Sequence, residues 1–321
     1  MSRRLIWMAF LLQLAPACRP AQPPAVLGIA VREDSVTTPD GVRLYYRVAG
    51  SMADTTIIAP FALFHGTALD SLARSFRVVT YDPRGRGRSA PVAPSQVSLA
   101  RLLLDLETVR SAVGADRFVL LGWSGGGMEG FVYALRNPDR VTRLIQLAPV
   151  AARFEPYGGT MMEDRARRTD PTLRLAVRQR IDGGAYRTDP AALCRALDSV
   201  SAPALFADPA RRPATPDACG HPNEYPERLG PYFEALFQTI DGYDWRDSLG
   251  RVTAPRLVIH GARDNTPRPG NEEWVRGQPN ARFLEIEGAG HWPHYEQPRR
   301  TLSAIETFVR GVWPATAVAL P

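Results

Sequence analysis

The chain has 321 residues, of which 45% are hydrophobic, and a formal net charge of +6 at pH 7. This length and composition fit one globular core domain with an insertion. All 39 basic residues are arginine, which excludes mechanisms that need a lysine: a Schiff base, a Ser-Lys dyad or a Walker phosphate loop. Because alanine and proline are abundant as well, the positive charge indicates a compositional bias, and we expect no nucleic-acid partner.

The N-terminal segment has the pattern of an export signal. Two arginines precede the mostly apolar residues 5–14, and an Ala-Pro-Ala cleavage signal follows. We expect residues 1–17 to be a signal peptide, too short for a membrane span, and residues 18–32 to be a linker. Cys18 also completes a pattern that resembles a bacterial lipoprotein box. The sequence therefore predicts an exported protein, periplasmic or extracellular. It is expected to be attached to a membrane only if Cys18 is lipidated.

The first core elements are short strands and one helix. Residues 42–48 alternate apolar and polar side chains, which predicts a half-exposed strand. Buried strands are predicted at residues 55–59, which precede Pro60, and at residues 76–80. Residues 97–113 place leucines and valines on one stripe, which is typical of an amphipathic helix.

The most informative motif is Gly122-x-Ser124-x-Gly126. It follows the apolar run 118–121 and precedes the helix-like segment 128–136. A strand, a sharp turn and a helix in this order place the serine on a strained elbow, where the helix N-terminus stabilises developing negative charge. Glycines flank it because a Cβ would collide with the neighbouring backbone. A surface turn also produces this motif, but the flanking elements favour a nucleophile.

A nucleophilic serine needs a base, and the base needs a carboxylate that orients it. Asp264 follows the strand predicted at residues 256–260, and His291 lies on a glycine-rich loop after the strand predicted at residues 283–286. Functional groups collect at the carboxyl ends of parallel strands, so both side chains are expected at the edge that carries Ser124. The alternative interpretation is that Asp264 is only a turn residue, because aspartate is common in turns.

Three further histidines have other predicted roles. His294 is the rival base, but the Gly-x-Gly-His pattern favours His291 and leaves His294 as a solvated or packing residue. His260 lies on a buried-type strand, which predicts a satisfied core residue. His221 is expected to be structural.

On these residues the chain resembles the α/β-hydrolase-fold serine hydrolases, over about residues 40–312. Besides the elbow, residues 81–89 are similar to the family's D-x-R-G-x-G-x-S loop, and residues 137–141 to the turn before the next strand. Residues 290–293 and 296–298 resemble the loop of the catalytic histidine. The resemblance implies an α/β fold with a mostly parallel central sheet flanked by helices and with an inserted helical cap.

The resemblance also implies a division of the chain. The hydrolase core is expected at residues 33–147 and 248–314, and the helical cap at residues 148–247, where the pattern changes to helices with proline-rich breaks. Cys194 and Cys219 lie within this cap. Because an exported protein keeps disulfides, the two cysteines are either bridged or two buried thiols.

In such a fold, backbone N–H groups stabilise the oxyanion of the tetrahedral intermediate. Gly125, which follows the serine, is the first expected donor. The second is either Phe61 or the loop after Gly66. Too few residues separate His65 from Tyr81 to hold both a helix and a strand, so Phe61 is favoured.

The resemblance implies that Ser124, activated by His291 and oriented by Asp264, attacks a carbonyl and forms an acyl-enzyme. No metal or organic cofactor is expected. A serine at the elbow argues against haloalkane dehalogenases and epoxide hydrolases, which use a carboxylate nucleophile. The expected substrate is a small-molecule ester or amide, or a short peptide.

An alternative is a proline iminopeptidase, which would hold the substrate amine with acidic cap residues. Glu224 and Glu227 are candidates, unless they are solvated surface carboxylates. The His-Gly-Gly-Pro-Gly loop usual in those enzymes is missing. A non-catalytic binding protein on the same scaffold is the alternative from another class, and retention of all three candidate catalytic residues argues against it.

Overall fold

The computed structural model describes residues 28–50 and 53–321. The predicted signal peptide 1–17, Cys18 and most of the predicted linker lie outside the described residues. Within the described ranges, none of the helices combines the length and apolar character that a membrane crossing requires. The same ranges hold no group of three or more His, Cys, Asp or Glu side chains arranged around a common metal position.

In the part of the chain that the structure describes, eight strands form one sheet with the spatial order β1-β2-β4-β3-β5-β6-β7-β8. The strands are β1 Val31–Thr37, β2 Arg43–Ala49, β3 Thr56–Pro60, β4 Arg77–Tyr81, β5 Phe118–Trp123, β6 Val141–Leu147, β7 Arg256–Gly261 and β8 Ala281–Ile286. The pairs β1–β2 and β2–β4 are antiparallel and the other pairs are parallel. This confirms the predicted fold class.

Within residues 28–50 and 53–321, ten α-helices accompany the sheet, together with short 3₁₀ turns. They are α1 Ala62–His65, α2 Leu99–Ala112, α3 Gly125–Arg136, α4 Tyr157–Arg168, α5 Pro171–Asp182, α6 Pro190–Ser201, α7 Pro226–Gln238, α8 Arg268–Glu272, α9 Pro293–Glu296 and α10 Pro298–Val309. Helices α4 to α7 lie in the chain between β6 and β7, and they form the insertion that interrupts the parallel part of the sheet.

The core consists of two apolar layers, one on each face of the sheet. Successive residues of a strand point to opposite faces, so Ile58 and Leu120 pack with helices α2 and α3, whereas Ile57 and Leu121 pack with α10. Because both faces are covered, the central strands are apolar without alternation, as is typical of parallel sheets.

Strand β2 differs from its prediction. It was expected to be half-exposed, but all its residues except Arg43 are buried. The polar position Arg47 is neutralised by a bidentate ion pair with Asp70, and Tyr45 lies under the Arg88 guanidinium, 3.8 Å from the ring centroid. Ion pairing and ring stacking therefore bury positions that the alternating pattern assigned to solvent.

The boundaries of the core also shift slightly. β1 begins at Val31, two residues before the expected boundary at residue 33, because this edge strand pairs with β2. At the other end, Val318 pairs with Phe283 of β8, beyond the expected limit at residue 314. Helix α3 begins at Gly125 instead of residue 128, so three glycines form its first turn.

Candidate active site

Ser124 lies between β5 and α3 in the elbow conformation that the sequence predicts. Its backbone angles are φ 55° and ψ −125°, a conformation that residues other than glycine rarely adopt. The turn is so tight that a Cβ on Gly122 would lie 2.0 Å from the carbonyl oxygen of Gly126. The serine N–H donates to the carbonyl of Leu147, which ties the elbow to the end of β6.

The structure brings Ser124, His291 and Asp264 together in one hydrogen-bonded row. The Nε2 of His291 lies 3.0 Å from the Oγ of Ser124, and its Nδ1 lies 3.0 Å from Oδ1 of Asp264. The Asp264 side chain is fully buried and that of His291 is 10% exposed. A buried carboxylate that accepts from Nδ1–H leaves Nε2 free to accept the serine proton.

Asp264 lies in a turn and its carboxylate also contacts His291. Its N–H donates to the carbonyl of Gly261 at the end of β7, and its Oδ1 accepts from the N–H of Thr266. These local hydrogen bonds fix a turn that aims the carboxylate at His291.

Several groups that hold the histidine loop have no signal in a single sequence. The Trp123 indole N–H donates to the carbonyl of His291 over 2.8 Å, and the two rings lie 5.3 Å apart. The Glu296 carboxylate accepts from the N–H of Gly290. The carbonyl of Leu205, in the insertion, accepts from the N–H of His291 over 2.7 Å. These contacts involve backbone groups, which any residue type offers.

The predicted oxyanion loop follows β3. Strand β3 ends at Pro60, so Phe61 directly follows it at the carboxyl edge of the sheet, next to β5, and its role as the second donor stays a prediction. Phe61 adopts a left-handed conformation with φ 70° and ψ 52°, and its ring lies against Gly126, where an added Cβ would be 3.2 Å from it. Gly125 is the first residue of α3, so the helix offers its N–H no acceptor.

The other histidines lie away from the hydrogen-bonded row. His260 is buried and its Nδ1 lies 3.0 Å from the Asn271 side-chain nitrogen, which confirms a satisfied core residue. His294 packs in the core, 5.4 Å from the His65 ring, which confirms its role as a packing residue. Burial lowers the pKa of His65 to about 4 and also lowers the pKa values of His294 and His260.

Glu224 fits neither interpretation that the sequence suggested. It is not a solvated carboxylate, because only 3% of the residue is exposed. It is also not free to hold an amine, because it forms a bidentate ion pair with Arg86, with nitrogen–oxygen distances of 2.8 and 3.0 Å, and accepts from the N–H of Gly87. Glu227 is exposed, as a surface carboxylate would be.

The insertion contacts the loops around the candidate site. Met161 approaches Thr266, beside Asp264, and Pro216 lies 3.0 Å from the position of a Cβ on Gly66. A disulfide joins Cys194 to Cys219 across a sequence separation of 25 residues, which confirms the bridge and rules out two buried thiols.

Comparison with known proteins agrees with this architecture. The model of the alpha/beta hydrolase fold family matches residues 58–298, more than half of the chain, and the chain belongs to that family. A pimeloyl-acyl-carrier protein methyl ester esterase of Aromatoleum aromaticum is 32% identical over 212 residues, which are 61% of this chain and 75% of the esterase.

Solved structures show the same fold. A serine hydrolase from Cycloclasticus zankles superposes with a TM-score of 0.67 at 19% identity, over 88% of this chain and 99% of that one. A proline iminopeptidase from Mycobacterium smegmatis gives a TM-score of 0.62 at 20% identity, over 86% of this chain and 98% of that one. Several other relatives are matched only in part, since the chain covers 12% of a polyketide synthase and 37% to 42% of four putative carbamate hydrolases.

Proposed function

We propose that this protein is a serine hydrolase that cleaves a small ester through Ser124, His291 and Asp264. The single observation that carries the proposal is the continuous row of hydrogen bonds from the serine hydroxyl through the imidazole to a buried carboxylate, with 3.0 Å at each step. A hydroxyl, an imidazole and a carboxylate in this order constitute the machinery of acyl transfer.

The mechanism follows from the roles of these groups. As the Ser124 oxygen attacks the substrate carbonyl, His291 takes its proton, and Asp264 stabilises the imidazolium that forms. The N–H groups of Gly125 and Phe61 donate to the tetrahedral oxyanion, and one such donor contributes on the order of 3 kcal/mol. His291 then protonates the leaving alcohol. Water, deprotonated by His291, then attacks the acyl-enzyme, and His291 returns that proton to the Ser124 oxygen as the acid leaves.

The charges of the insertion favour an ester over a peptide with a free N-terminus. An aminopeptidase needs a carboxylate that is available to the substrate amine, but both oxygens of Glu224, the buried candidate, are occupied by Arg86. The similarity to an esterase over three quarters of that enzyme's length supports the same choice. Retention of all three side chains in hydrogen-bonding geometry argues against a non-catalytic binding protein.

Two substrates distinguish these functions. We would measure kcat/KM for a short-chain p-nitrophenyl ester and for a prolyl anilide, with Ser124→Ala as the blank and with protein that begins after Cys18. We expect ester turnover that is lost in Ser124→Ala, without anilide cleavage. Preferential anilide cleavage would instead establish an aminopeptidase. Equal ester turnover by Ser124→Ala would contradict the proposed nucleophile.

We also propose that the protein is exported, either secreted or anchored by a lipid on Cys18. The disulfide between Cys194 and Cys219 supports this proposal, because such bonds persist mainly in oxidising compartments. Mass spectrometry of the mature N-terminus tests it. A chain that starts at Met1 would contradict export, and a lipid adduct on Cys18 would distinguish anchoring from secretion.

A further inference from the structure

Arg86 is a buried cation that links the core to the insertion. It lies on the loop after β4 and is only 5% exposed. Its Nε and Nη2 donate to the two oxygens of Glu224, which precedes helix α7 of the insertion. Asn223 strengthens the link, because its side-chain amide donates to the carbonyls of Gly87 and Ser89 on the Arg86 loop.

Four aromatic rings surround the Arg86 guanidinium. Its Cζ lies 5.3 Å from the ring centroid of Phe61 and 5.5 Å from that of Phe64, which both follow β3. From helix α7, the rings of Tyr232 and Phe233 each lie 5.3 Å away. All four distances are within the range of a cation–π interaction. The guanidinium therefore holds the segment after β3 against the insertion.

That segment contains Phe61, the proposed second oxyanion donor. A left-handed conformation is unfavourable for a phenylalanine, so surrounding contacts must maintain it. Its ring lies between Arg86 and Gly126 of the serine elbow. A second tie comes from Asp82, whose carboxylate accepts from the N–H of Leu63, two residues after Phe61.

We propose that Arg86, clamped by Glu224, is a positioning residue that keeps the Phe61 N–H directed at the oxyanion. This inference rests on the proposed serine-hydrolase function and extends it. Arg86 acts through Phe61, because its charge is already neutralised by a bidentate carboxylate. The insertion therefore contributes to transition-state stabilisation through Glu224, Tyr232 and Phe233.

The test replaces the whole ion pair, because removal of one partner would leave a buried unpaired charge, whereas apolar replacement of both is tolerated in other proteins. The variant is Arg86→Met with Glu224→Met. The matched control is Arg47→Met with Asp70→Leu, which removes another buried bidentate pair, between strand β2 and the 3₁₀ turn at residues 70–74. Steady-state kinetics with the p-nitrophenyl ester, thermal melting and the Ki of a boronic acid that forms a tetrahedral adduct are measured for each.

We expect kcat of the Arg86–Glu224 variant to fall on the order of 100-fold with KM within about threefold, because an oxyanion donor acts mainly in the transition state. Its Ki for the boronic acid rises in parallel, and the control retains wild-type values. A folded variant with the control's kcat would overturn the proposal. Unchanged kcat with a raised KM would also overturn it, because it would indicate direct substrate binding.

A second variant covers the case in which the double variant does not fold. Arg86→Lys keeps the charge but cannot form the planar fork with Glu224, so we expect an intermediate loss of kcat. Wild-type kcat in this variant would overturn the proposal. Ser124→Ala in the same assay separates the two hypotheses, since residual turnover there contradicts the proposed function itself and not only the role of Arg86.

Discussion

The Nε2 of His291 lies 3.0 Å from the Oγ of Ser124, although 167 residues separate the two in the chain. Strands β5 and β8 are not neighbours in the sheet, but both end at the same edge, and the loops after them converge there. The contact is maintained from both sides of the histidine. Trp123, the residue before the serine, donates to the carbonyl of His291, and Leu205 of the insertion accepts from its N–H.

Replacing Asp264 with asparagine tests the orientation of the base. Asparagine preserves the shape of the side chain but no longer provides the carboxylate that holds the Nδ1–H tautomer and stabilises the imidazolium. We expect kcat for ester hydrolysis to fall roughly 10³- to 10⁴-fold with little change in KM. Asp244→Asn, at an exposed aspartate that forms a surface ion pair with Arg246, is the control and should retain activity. A loss below tenfold in Asp264→Asn would contradict the assignment.

The elbow predicts different losses of stability when alanine replaces two of its glycines. A Cβ at Gly122 would lie 2.0 Å from the backbone oxygen of Gly126, so Gly122→Ala should lower the free energy of unfolding by about 3 kcal/mol or more. Among the described residues, a Cβ at Gly125 has no heavy atom within 4 Å apart from its chain neighbours and the adjacent backbone of α3, so Gly125→Ala should change the free energy of unfolding by less than about 1 kcal/mol. Urea denaturation measures both. Similar stability of the two variants would contradict this account of the elbow.

The disulfide should stabilise the insertion and the chain. Closing a loop across a sequence separation of 25 residues restricts the unfolded state, which corresponds to roughly 3 kcal/mol. Cys194→Ser with Cys219→Ser should lose about this much free energy of unfolding, measured in urea. Wild-type protein in dithiothreitol should approach the variant, and the variant should not respond to reductant. Equal stability of both proteins without reductant would refute the prediction.

Glu129, on helix α3, makes stability depend on pH. Burial raises the pKa of this carboxyl to about 7, although the Arg86 charge lowers it. As pH rises from about 4.5 to 7, the unfolded state releases a proton that the folded state retains, so the free energy of unfolding falls. Glu129→Gln removes this loss and should be more stable than wild type at pH 8 by up to roughly 3 kcal/mol, but not at pH 4.5.

The stability of Glu227→Gln, compared with wild type at the same two pH values, is the control for this prediction. Glu227 is exposed and should show no difference from wild type at either pH. Thermal melting at pH 4.5 and pH 8 suffices for the comparison. If Glu129→Gln and wild type differ equally at both values, the buried carboxyl does not titrate as described.

Much of the candidate site follows from local sequence. A strand, a serine between glycines and a helix determine the elbow, and apolar runs that end in Asp264 and in the loop of His291 predict which side chains meet at one sheet edge. Such patterns are readable because a strand–turn–helix unit and the carboxyl edge of a parallel sheet are defined by neighbours in the chain. Counting residues between elements also predicted a strand that ends just before Pro60, and β3 ends at Pro60, whereas the role of Phe61 as second oxyanion donor stays a prediction.

Only the tertiary structure decided what surrounds those residues. The sequence predicted that Glu224 is either a surface carboxylate or a ligand of an amine, but it forms an ion pair with Arg86, 138 positions away in the chain. The packing of the insertion on the core determines which carboxylate of the insertion is buried. The left-handed conformation of Phe61 is likewise not encoded by its residue type, since phenylalanine avoids it. Local sequence thus determined the central strands and the elbow. Long-range packing determined the ion pair and the strained backbone, because their free energies depend on partners that no nearby residue specifies.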